Sequence, residues 1–375
     1  MIIKGLPLTS CLLRLASFLF IVFLIGCAAP QQVNRRYFWP SLPEVPRVEF
    51  LKAYWGGADM PKGGWQRFVE SLVGAEDLSM ERPWGVVSDG EGKIYVTDIN
   101  VSAVVVFDMK KSTVTYMGGK EVGGTFENPI GLALDAEGNI YVSDSKKKSV
   151  FVYTKDEKPL RTIGGPETLT WPVGLAINDR LGRLYVTDSQ AHNISVFDLS
   201  GKFLFTIGQA GGRNGQFRYP NSVAIAPDGN IVVADTINAR VQVLDPDGKF
   251  IRVVGMRGDG STDLQLPKGV GVTKGGRIYV TDGRGNKMVI FRMSDGAALT
   301  SIGGKYAYGS GGKMKVSPGG FLQPSGLFVD KNDTIYVADS FNLRLQVFQE
   351  LNEEYLREHP VEGVKTEEIL KEREP

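Results

Sequence analysis

Residues 220–255, PNSVAIAPDGNIVVADTINARVQVLDPDGKFIRVVG, contain four short apolar runs, at 222–226, 231–234, 241–244 and 250–254. Two of the three connections, at 227–230 and 245–248, contain the Asp-Gly signal of tight turns between antiparallel strands. The stretch therefore predicts a four-stranded antiparallel meander.

This unit occurs six times along the chain. A proline opens each copy, and consecutive prolines are 43 to 48 residues apart, or 57 before the last copy. Each second strand ends in an aspartate, and these repeat aspartates are Asp98, Asp144, Asp188, Asp235, Asp282 and Asp339. Four strands in a repeat of about 40 to 50 residues are typical of a β-propeller blade. The sequence therefore predicts an all-β fold, a six-bladed β-propeller of four-stranded antiparallel blades, over residues 47–349.

The two ends of the repeat region complement each other. The last copy stops after its third strand, at residues 345–348, whereas residues 48–55 resemble a fourth strand that no first three strands precede. Pairing of these segments would leave no open sheet edge between the first and last blades. We therefore expect residues 48–55 to complete the last blade.

Residues 1–26 predict an export signal. Lys4 and Arg14 are their only charges, and the apolar run of 11 residues at 15–25 is too short to span a membrane. The sequence Leu-Ile-Gly before Cys27 resembles the lipobox of bacterial lipoproteins, in which the cysteine is lipidated. An uncleaved anchor and a plain secretory signal are the alternatives. The resemblance implies a lipid anchor on Cys27 at the bacterial cell envelope, in the outer membrane facing the periplasm or the cell surface.

Three segments flank or interrupt the repeats. Residues 27–46 are rich in proline and predict an extended tether. Residues 58–81 include Trp65 and further apolar residues at helical spacing, which predict an amphipathic helix that docks on the body or binds a partner. Residues 350–375 form a charged tail, whose alternating charges suit either a weak helix or disorder.

Composition argues against several classes of function. The chain has 43 Lys and Arg against 42 Asp and Glu, so a nucleic acid is not an expected partner. His192 and His359 are the only histidines, too few for a histidine-rich zinc or copper site. No nucleophile elbow or phosphate-binding loop occurs, and we expect no catalytic residue, metal or cofactor. Cys11 would leave with the signal, so no disulfide is expected.

The repeat unit resembles the NHL repeat. The resemblance is carried by Pro-x-Gly at the first strand, by the second-strand pattern Tyr-Val-x-Asp, and by Asn-x-Arg-x-Gln-Val, as in DSFNLRLQV at residues 339–347. Together with the lipobox, these motifs make the chain similar to bacterial NHL-repeat lipoproteins. That resemblance implies a six-bladed propeller and functions that are mostly unassigned.

The repeat aspartates could form a ring of carboxylates or have a structural role. Because the same residue recurs at one position of every blade, we expect each aspartate to accept hydrogen bonds from the backbone of its own loop. Residues that depart from the repeat are therefore better candidates for function.

The candidate binding surface is the face that carries the second-to-third loops and the connections between blades, where segments are long and variable. The residues after the repeat prolines lie near the channel mouth on this face. Three of them depart from the small or aliphatic pattern, namely Trp84, Asn221 and Lys268. The loops add Lys147, His192 and Arg284 as further candidates, although lysine runs and single histidines are usually solvated surface residues.

These observations predict a protein- or glycan-binding scaffold at the bacterial envelope. The alternative is a calcium-dependent, lactonase-like hydrolase or lyase that uses the central channel, with Asn221 near the metal. That alternative is the weaker one, because only Asn221 matches the residue types that hold calcium in lactonase-like propellers.

Overall fold

Six antiparallel sheets make up the fold, and each follows the chain as a meander. The computed structural model describes residues 35–61, 78–119, 124–303 and 317–371. The first strands of consecutive sheets contact one another in a closed circle, so they form the innermost layer around a central channel. The prediction of a six-bladed β-propeller is confirmed.

The first three blades follow one another in chain order. Blade 1 contains β3 (Pro83–Ser88), β4 (Lys93–Asp98), β5 (Ala103–Asp108) and β6 (Thr113–Met117). Blade 2 contains β7 (Pro129–Leu134), β8 (Ile140–Asp144), β9 (Ser149–Tyr153) and β10 (Pro159–Gly164). Blade 3 contains β11 (Pro172–Asn178), β12 (Arg183–Asp188), β13 (Asn193–Asp198) and β14 (Phe203–Ile207).

The fourth and fifth blades repeat this order. Blade 4 contains β15 (Pro220–Ile225), β16 (Ile231–Asp235), β17 (Arg240–Leu244) and β18 (Phe250–Val254). Blade 5 contains β19 (Pro267–Val272), β20 (Arg277–Asp282), β21 (Lys287–Arg292) and β22 (Ala298–Gly303). Blade 4 reproduces the four strands predicted for residues 220–255, with the first strand starting two residues earlier, at Pro220.

Both ends of the chain build blade 6. It contains β23 (Pro324–Val329), β24 (Thr334–Asp339) and β25 (Arg344–Glu350) from the C-terminal region and β2 (Val48–Tyr54) from the N-terminal region. β2 pairs antiparallel with β25, so the predicted closure is confirmed. A fifth strand, β1 (Tyr37–Trp39), pairs with β2 although these residues belong to the expected tether. The indole of Trp39 packs edge-on against Phe348 at 5.9 Å between ring centroids, which explains why this segment joins the sheet.

The apolar core lies between neighbouring blades. Val232 of blade 4 and Ile278 of blade 5 are fully buried in one such layer, and Ile335 of blade 6 is buried in the next. Second and third strands such as β4 and β5 are buried along most of their length, whereas outer fourth strands such as β6 and β18 alternate between exposed and partly buried residues. This pattern follows from position, because only the outermost strand of a blade has one face toward solvent.

Glycine allows the innermost strands to approach one another. A Cβ atom at Gly131 would lie 1.9 Å from the carbonyl oxygen of Val173 in the next blade. The Ser143 hydroxyl donates to that same oxygen at 2.5 Å, and Thr97 donates to the carbonyl of Ile130 at 2.7 Å. The Pro-x-Gly motif therefore marks the sites where one blade touches the next.

The C-terminal residues pack beside the ring closure. Two short helices, α1 (Glu353–Glu358) and α2 (Thr366–Lys371), bury Leu356 and Ile369 in a small cluster with Phe38. Within the described part of the chain, no helix has the length and hydropathy needed to cross a membrane. The predicted signal, Cys27 and most of the predicted helical insertion lie outside the described residues.

Candidate functional site

Three side chains chosen from the sequence meet at one end of the channel. Trp84, Asn221 and Lys268 each follow the proline that opens a first strand, in blades 1, 4 and 5. The Lys268 Nζ atom lies 4.5 Å from the centroid of the Trp84 ring, a cation–π distance. The Asn221 Nδ2 atom donates to the carbonyl oxygen of Lys268 at 3.1 Å. We call these three residues the channel mouth.

A cavity of about 210 Å³ extends from the channel mouth along the first strands. The side chains that line it beyond the mouth are mostly apolar, with Leu132, Leu175, Val223, Val270, Leu327 and Phe328 among them, whereas polar atoms make up nearly half of its accessible surface. Pockets that hold drug-sized ligands usually measure about 300 to 1,000 Å³. The cavity is therefore suited to a small ligand that carries both an apolar and a polar group.

Two small residues allow Lys268 to reach Trp84. Blade 6 lies between blade 5, which carries Lys268, and blade 1, which carries Trp84. Its residue after the repeat proline is Ser325, whose hydroxyl is turned away to donate to the Trp84 carbonyl at 2.9 Å. A Cβ atom at Gly283 would lie 3.2 Å from Cε and 3.4 Å from Cγ of Lys268. The other blades carry Ile, Ser or Thr where blade 5 has Gly283. Gly283 and Ser325 thus make room for the lysine side chain.

The channel mouth is a region of positive charge. Burial lowers the pKa of the Lys268 ammonium below its ordinary value of 10.5, and the positive charge of Arg82 lowers that pKa further. The Arg82 guanidinium lies 4.8 Å from the centroid of the Phe341 ring. Its Nε atom is buried and lacks a hydrogen-bond partner among the described residues. Arg82 therefore adds positive charge that affects Lys268, although Arg82 itself does not line the cavity.

Each repeat aspartate holds a connection between blades as well as its own loop. Asp144 accepts from the backbone N–H groups of Lys146 and Lys147 in its loop, at 3.1 and 3.0 Å. It also accepts from Glu127 and Asn128, in the connection from the previous blade, at 2.7 and 3.1 Å. The second set of bonds was not expected from sequence, because it joins segments that are distant along the chain.

In blades 4 and 6, an arginine and a glutamine add further hydrogen bonds to the repeat aspartate and to the connection before the blade. Arg344 Nε donates to Asp339 at 2.8 Å, and its guanidinium also reaches the carbonyl of Gly320 at 2.5 Å. Gln346 Nε2 donates to the same carbonyl at 2.8 Å. Arg240 makes the same 2.8 Å contact with Asp235 in blade 4. These repeat residues are therefore used largely in bonds within the fold.

The other candidates from the sequence do not line the cavity. Lys147 Nζ lies 4.0 Å from a carboxylate oxygen of Glu127 in the connection that precedes its blade. Arg284 lies in the second-to-third loop of blade 5, where its backbone N–H donates to Asp282 at 3.1 Å.

The His192 side chain forms a hydrogen bond with the backbone of the connection to the next blade. Its Nδ1 atom accepts from the backbone N–H of Tyr219 at 3.1 Å, and the two rings pack edge-on at 4.5 Å. Asn286 accepts from Gln323 at 2.8 Å at the equivalent position of blade 5. His192 and Asn286 also share a left-handed backbone, with φ of 59° and 52°. His192 therefore links blades 3 and 4.

Arg82, Gly283 and Phe341 were missed by the sequence reasoning. Gly283 could have been found by comparing the residue after each repeat aspartate, because only blade 5 has glycine there. Arg82 directly precedes a repeat proline and Phe341 lies within the repeat motif of residues 339–347, but the residue type at each of these positions varies from blade to blade, so no sequence signal pairs them. Among the described residues, no group of three or more His, Cys, Asp or Glu side chains is placed to hold a metal ion.

Family comparison matches the model described as NHL repeat to residues 126–153, 169–197, 217–244 and 321–348. The chain contains NHL repeats. The four matched segments lie in blades 2, 3, 4 and 6, and each runs from the connection before its blade into the third strand. Blades 1 and 5 of this NHL-repeat propeller keep the same four-stranded arrangement. No curated protein is significantly similar in sequence to the chain.

Solved structures share the fold at low identity. A structural genomics protein of unknown function from Bacteroides thetaiotaomicron has a TM-score of 0.58 and 17% identity, covering 81% of this chain and 75% of its own. An auxiliary nutrient binding protein from Bacteroides ovatus has a TM-score of 0.54 and 14% identity, covering 72% and 69%. A streptogramin B lyase has a TM-score of 0.51 and 13% identity, covering 73% and 95%. At this identity the similarity concerns the fold alone.

Proposed function

We propose that this NHL-repeat propeller is an exported, lipid-anchored binding protein of the bacterial cell envelope, whose ligand docks at the channel mouth. The observation that carries the proposal is the convergence of Trp84, Asn221 and Lys268 over an apolar cavity. These residues depart from the repeat, whereas the repeat residues around them are occupied by bonds between blades. An aromatic ring, an amide and a cation at the rim of a cavity can orient a ligand.

Of the two ligand classes that the sequence suggested, a protein segment fits the cavity better than a glycan. The lining side chains beyond the mouth are mostly apolar, so burying an apolar side chain of a protein against them is more favourable than burying sugar hydroxyl groups there. Exposed apolar side chains on the same face, Tyr219 at 48% and Met256 at 70% exposure, could extend such a contact. The name of the Bacteroides ovatus neighbour is consistent with a binding role for propellers of this fold.

Affinity capture from detergent-solubilised envelope tests the binding role. The bait proteins are the wild type, the Trp84→Ala, Lys268→Ala double variant, and a Lys147→Ala, Leu160→Ala control whose substitutions lie outside the cavity lining. Proteins and glycans are both identified by mass spectrometry. A partner that is lost only with the channel-mouth variant supports the proposal. A partner list that is the same for all three baits contradicts it, and a glycan lost from the channel-mouth variant would replace the protein ligand.

The envelope location needs its own test, through Cys27. Expression in a Gram-negative bacterium with an alkyne-labelled fatty acid should label the wild type and place it in the membrane fraction. The Cys27→Ser variant should be unlabelled and leave that fraction, because serine lacks the sulfur atom to which the lipid is attached. Equal labelling of both proteins would contradict lipidation at Cys27.

A further inference from the structure

Positive charge at the channel mouth is not balanced by the surrounding protein. Among the described residues, neither Lys268 nor Arg82 forms an ion pair with a carboxylate, in contrast to Arg240 and Arg344 on the same face. The nearby Asp282 is already occupied, since it accepts from the backbone N–H groups of Gln265, Leu266, Arg284 and Gly285. Half-buried cations without a counter-charge are unfavourable, and an anionic ligand would relieve that cost.

The contacts of Lys268 leave room for such a ligand. Lys268 Nζ has an aromatic partner, Trp84, which leaves its three N–H donors without an oxygen acceptor among the described residues. A carboxylate can accept from this ammonium, and charge-assisted bonds of this kind are about twice as strong as neutral ones.

The cavity beyond these donors determines what the anion must carry. Val223, Val270 and Leu327 line it, and its volume of about 210 Å³ admits only a small group. A hydrocarbon group would be favoured by burial against these side chains. A strongly hydrated inorganic anion would use the mouth but leave the cavity unfilled.

We propose that the channel mouth binds a carboxylate attached to a small apolar group, with the carboxylate at the Lys268 ammonium and the apolar group inside the channel. The inference rests on the proposed binding function and specifies its ligand chemistry. Two sources share this chemistry. One is the C-terminal carboxylate of a protein that ends in an apolar residue, and the other is a free short-chain acid.

Two pairs of probes test the proposal on the purified chain. Hexanoate is compared with hexanamide, and N-acetyl-glycyl-leucine with its C-terminal amide, so that each pair differs in charge but hardly in shape. Binding is followed by the NMR shift of the Trp84 indole N–H, assigned with Trp84→Phe. We expect each acid that binds to be preferred over its amide by about tenfold or more, as for hydrogen bonds to charged groups.

Variants localise the effect. Lys268→Met should weaken acid binding by about tenfold or more and leave amide binding unchanged, while the control Lys147→Met should leave both unchanged. The comparison of acid with amide needs only the wild type, so it holds even if Lys268→Met folds poorly. Preference for the peptide acid would place the carboxylate at a protein C-terminus, and preference for hexanoate would place it in a free acid; either supports the proposal.

Equal affinity for acids and amides, or no binding of either acid, would overturn the carboxylate inference. If the affinity capture still found a partner that depends on the channel mouth, the binding function would stand with a different ligand chemistry. If the capture also showed no such dependence, both proposals would fail.

Discussion

The Lys268 ammonium lies 4.5 Å from the centroid of the Trp84 ring, although blade 6 stands between the two strands that carry them. The contact depends on Ser325, which fills the intervening position without entering the mouth. A lysine that lies over an aromatic ring and forms no ion pair with a carboxylate in the described part of the chain is held in place but keeps its hydrogen-bond donors for a ligand. The following predictions test this arrangement and the fold that supports it.

The charge of Arg82 should be measurable at Lys268. Arg82→Gln removes the positive charge that lowers the pKa of the Lys268 ammonium, so that pKa should rise toward 10.5. A pH titration of the lysine ε-CH₂ signals by NMR measures it, with the signal assigned through Lys268→Met. A lysine pKa that is the same in wild type and Arg82→Gln would show that the two charges do not interact.

The low pKa of Lys268 also predicts how stability depends on pH. Since the pKa in the folded state is below the unfolded value, the unfolded chain binds more protons between these two values. The free energy of unfolding contributed by this group should therefore rise with pH from the folded pKa to about 10.4. Urea unfolding across this range should show the rise in wild type and a smaller one in Lys268→Met, whereas Lys147→Met should behave as wild type.

Gly283→Ser should disturb the channel mouth with little effect on the fold. The added Cβ would lie 3.2 Å from Cε of Lys268, and the flexible lysine side chain can move away at low cost. We expect a change of about 1 kcal/mol or less in the free energy of unfolding, with a shifted Trp84 indole resonance and weaker acid binding. Gly212→Ser is the matched control, because its Cβ would lie 3.7 Å from Asn238 Oδ1, an ordinary contact. An unchanged Trp84 indole resonance in Gly283→Ser would show that the position of the Lys268 side chain does not depend on the space left by Gly283.

Phe348 should contribute much of the apolar packing that stabilises the ring closure. It is fully buried in β25, and its ring packs edge-on against Trp39 and Phe50 of the N-terminal strands, at 5.9 and 5.6 Å. Phe348→Ala should lower the free energy of unfolding by about 3 to 5 kcal/mol, measured by urea denaturation. Leu160→Ala, at a 44% exposed site on an outer strand, should change it by about 0.5 kcal/mol or less. Similar losses of unfolding free energy in Phe348→Ala and Leu160→Ala would mean that packing at the ring closure contributes no more than an exposed site.

His192 can be tested by copying the equivalent residue of blade 5. His192→Ala removes the acceptor of the Tyr219 N–H and should cost about 1 kcal/mol of unfolding free energy. His192→Asn should restore the acceptor, as Asn286 does for Gln323, and asparagine also tolerates the left-handed backbone found there. Thermal unfolding of the three proteins compares them. Equal destabilisation by Ala and Asn would contradict the proposed backbone role.

Repetition made most of this fold predictable. The prolines, the Gly turns and the repeat aspartates recur at nearly constant spacing, so each blade independently predicts the same four strands. The missing fourth strand of the last copy predicted the pairing of β2 with β25, because an open edge would otherwise remain. What spacing could not predict was β1, since the pairing of Tyr37–Trp39 depends on Trp39 meeting Phe348 in three dimensions.

By itself, the sequence determined the number of blades, their closure, and three departures from the repeat, Trp84, Asn221 and Lys268. Only the tertiary structure decided that these three meet, because the ring brings strands from blades 1, 4 and 5 to one channel mouth. It also decided that Lys147, Arg284 and His192 lie outside the cavity. Local patterns specify strands and turns through short-range interactions, whereas a site built from distant segments depends on which side chains the closed ring leaves room for, as Gly283 and Ser325 do here.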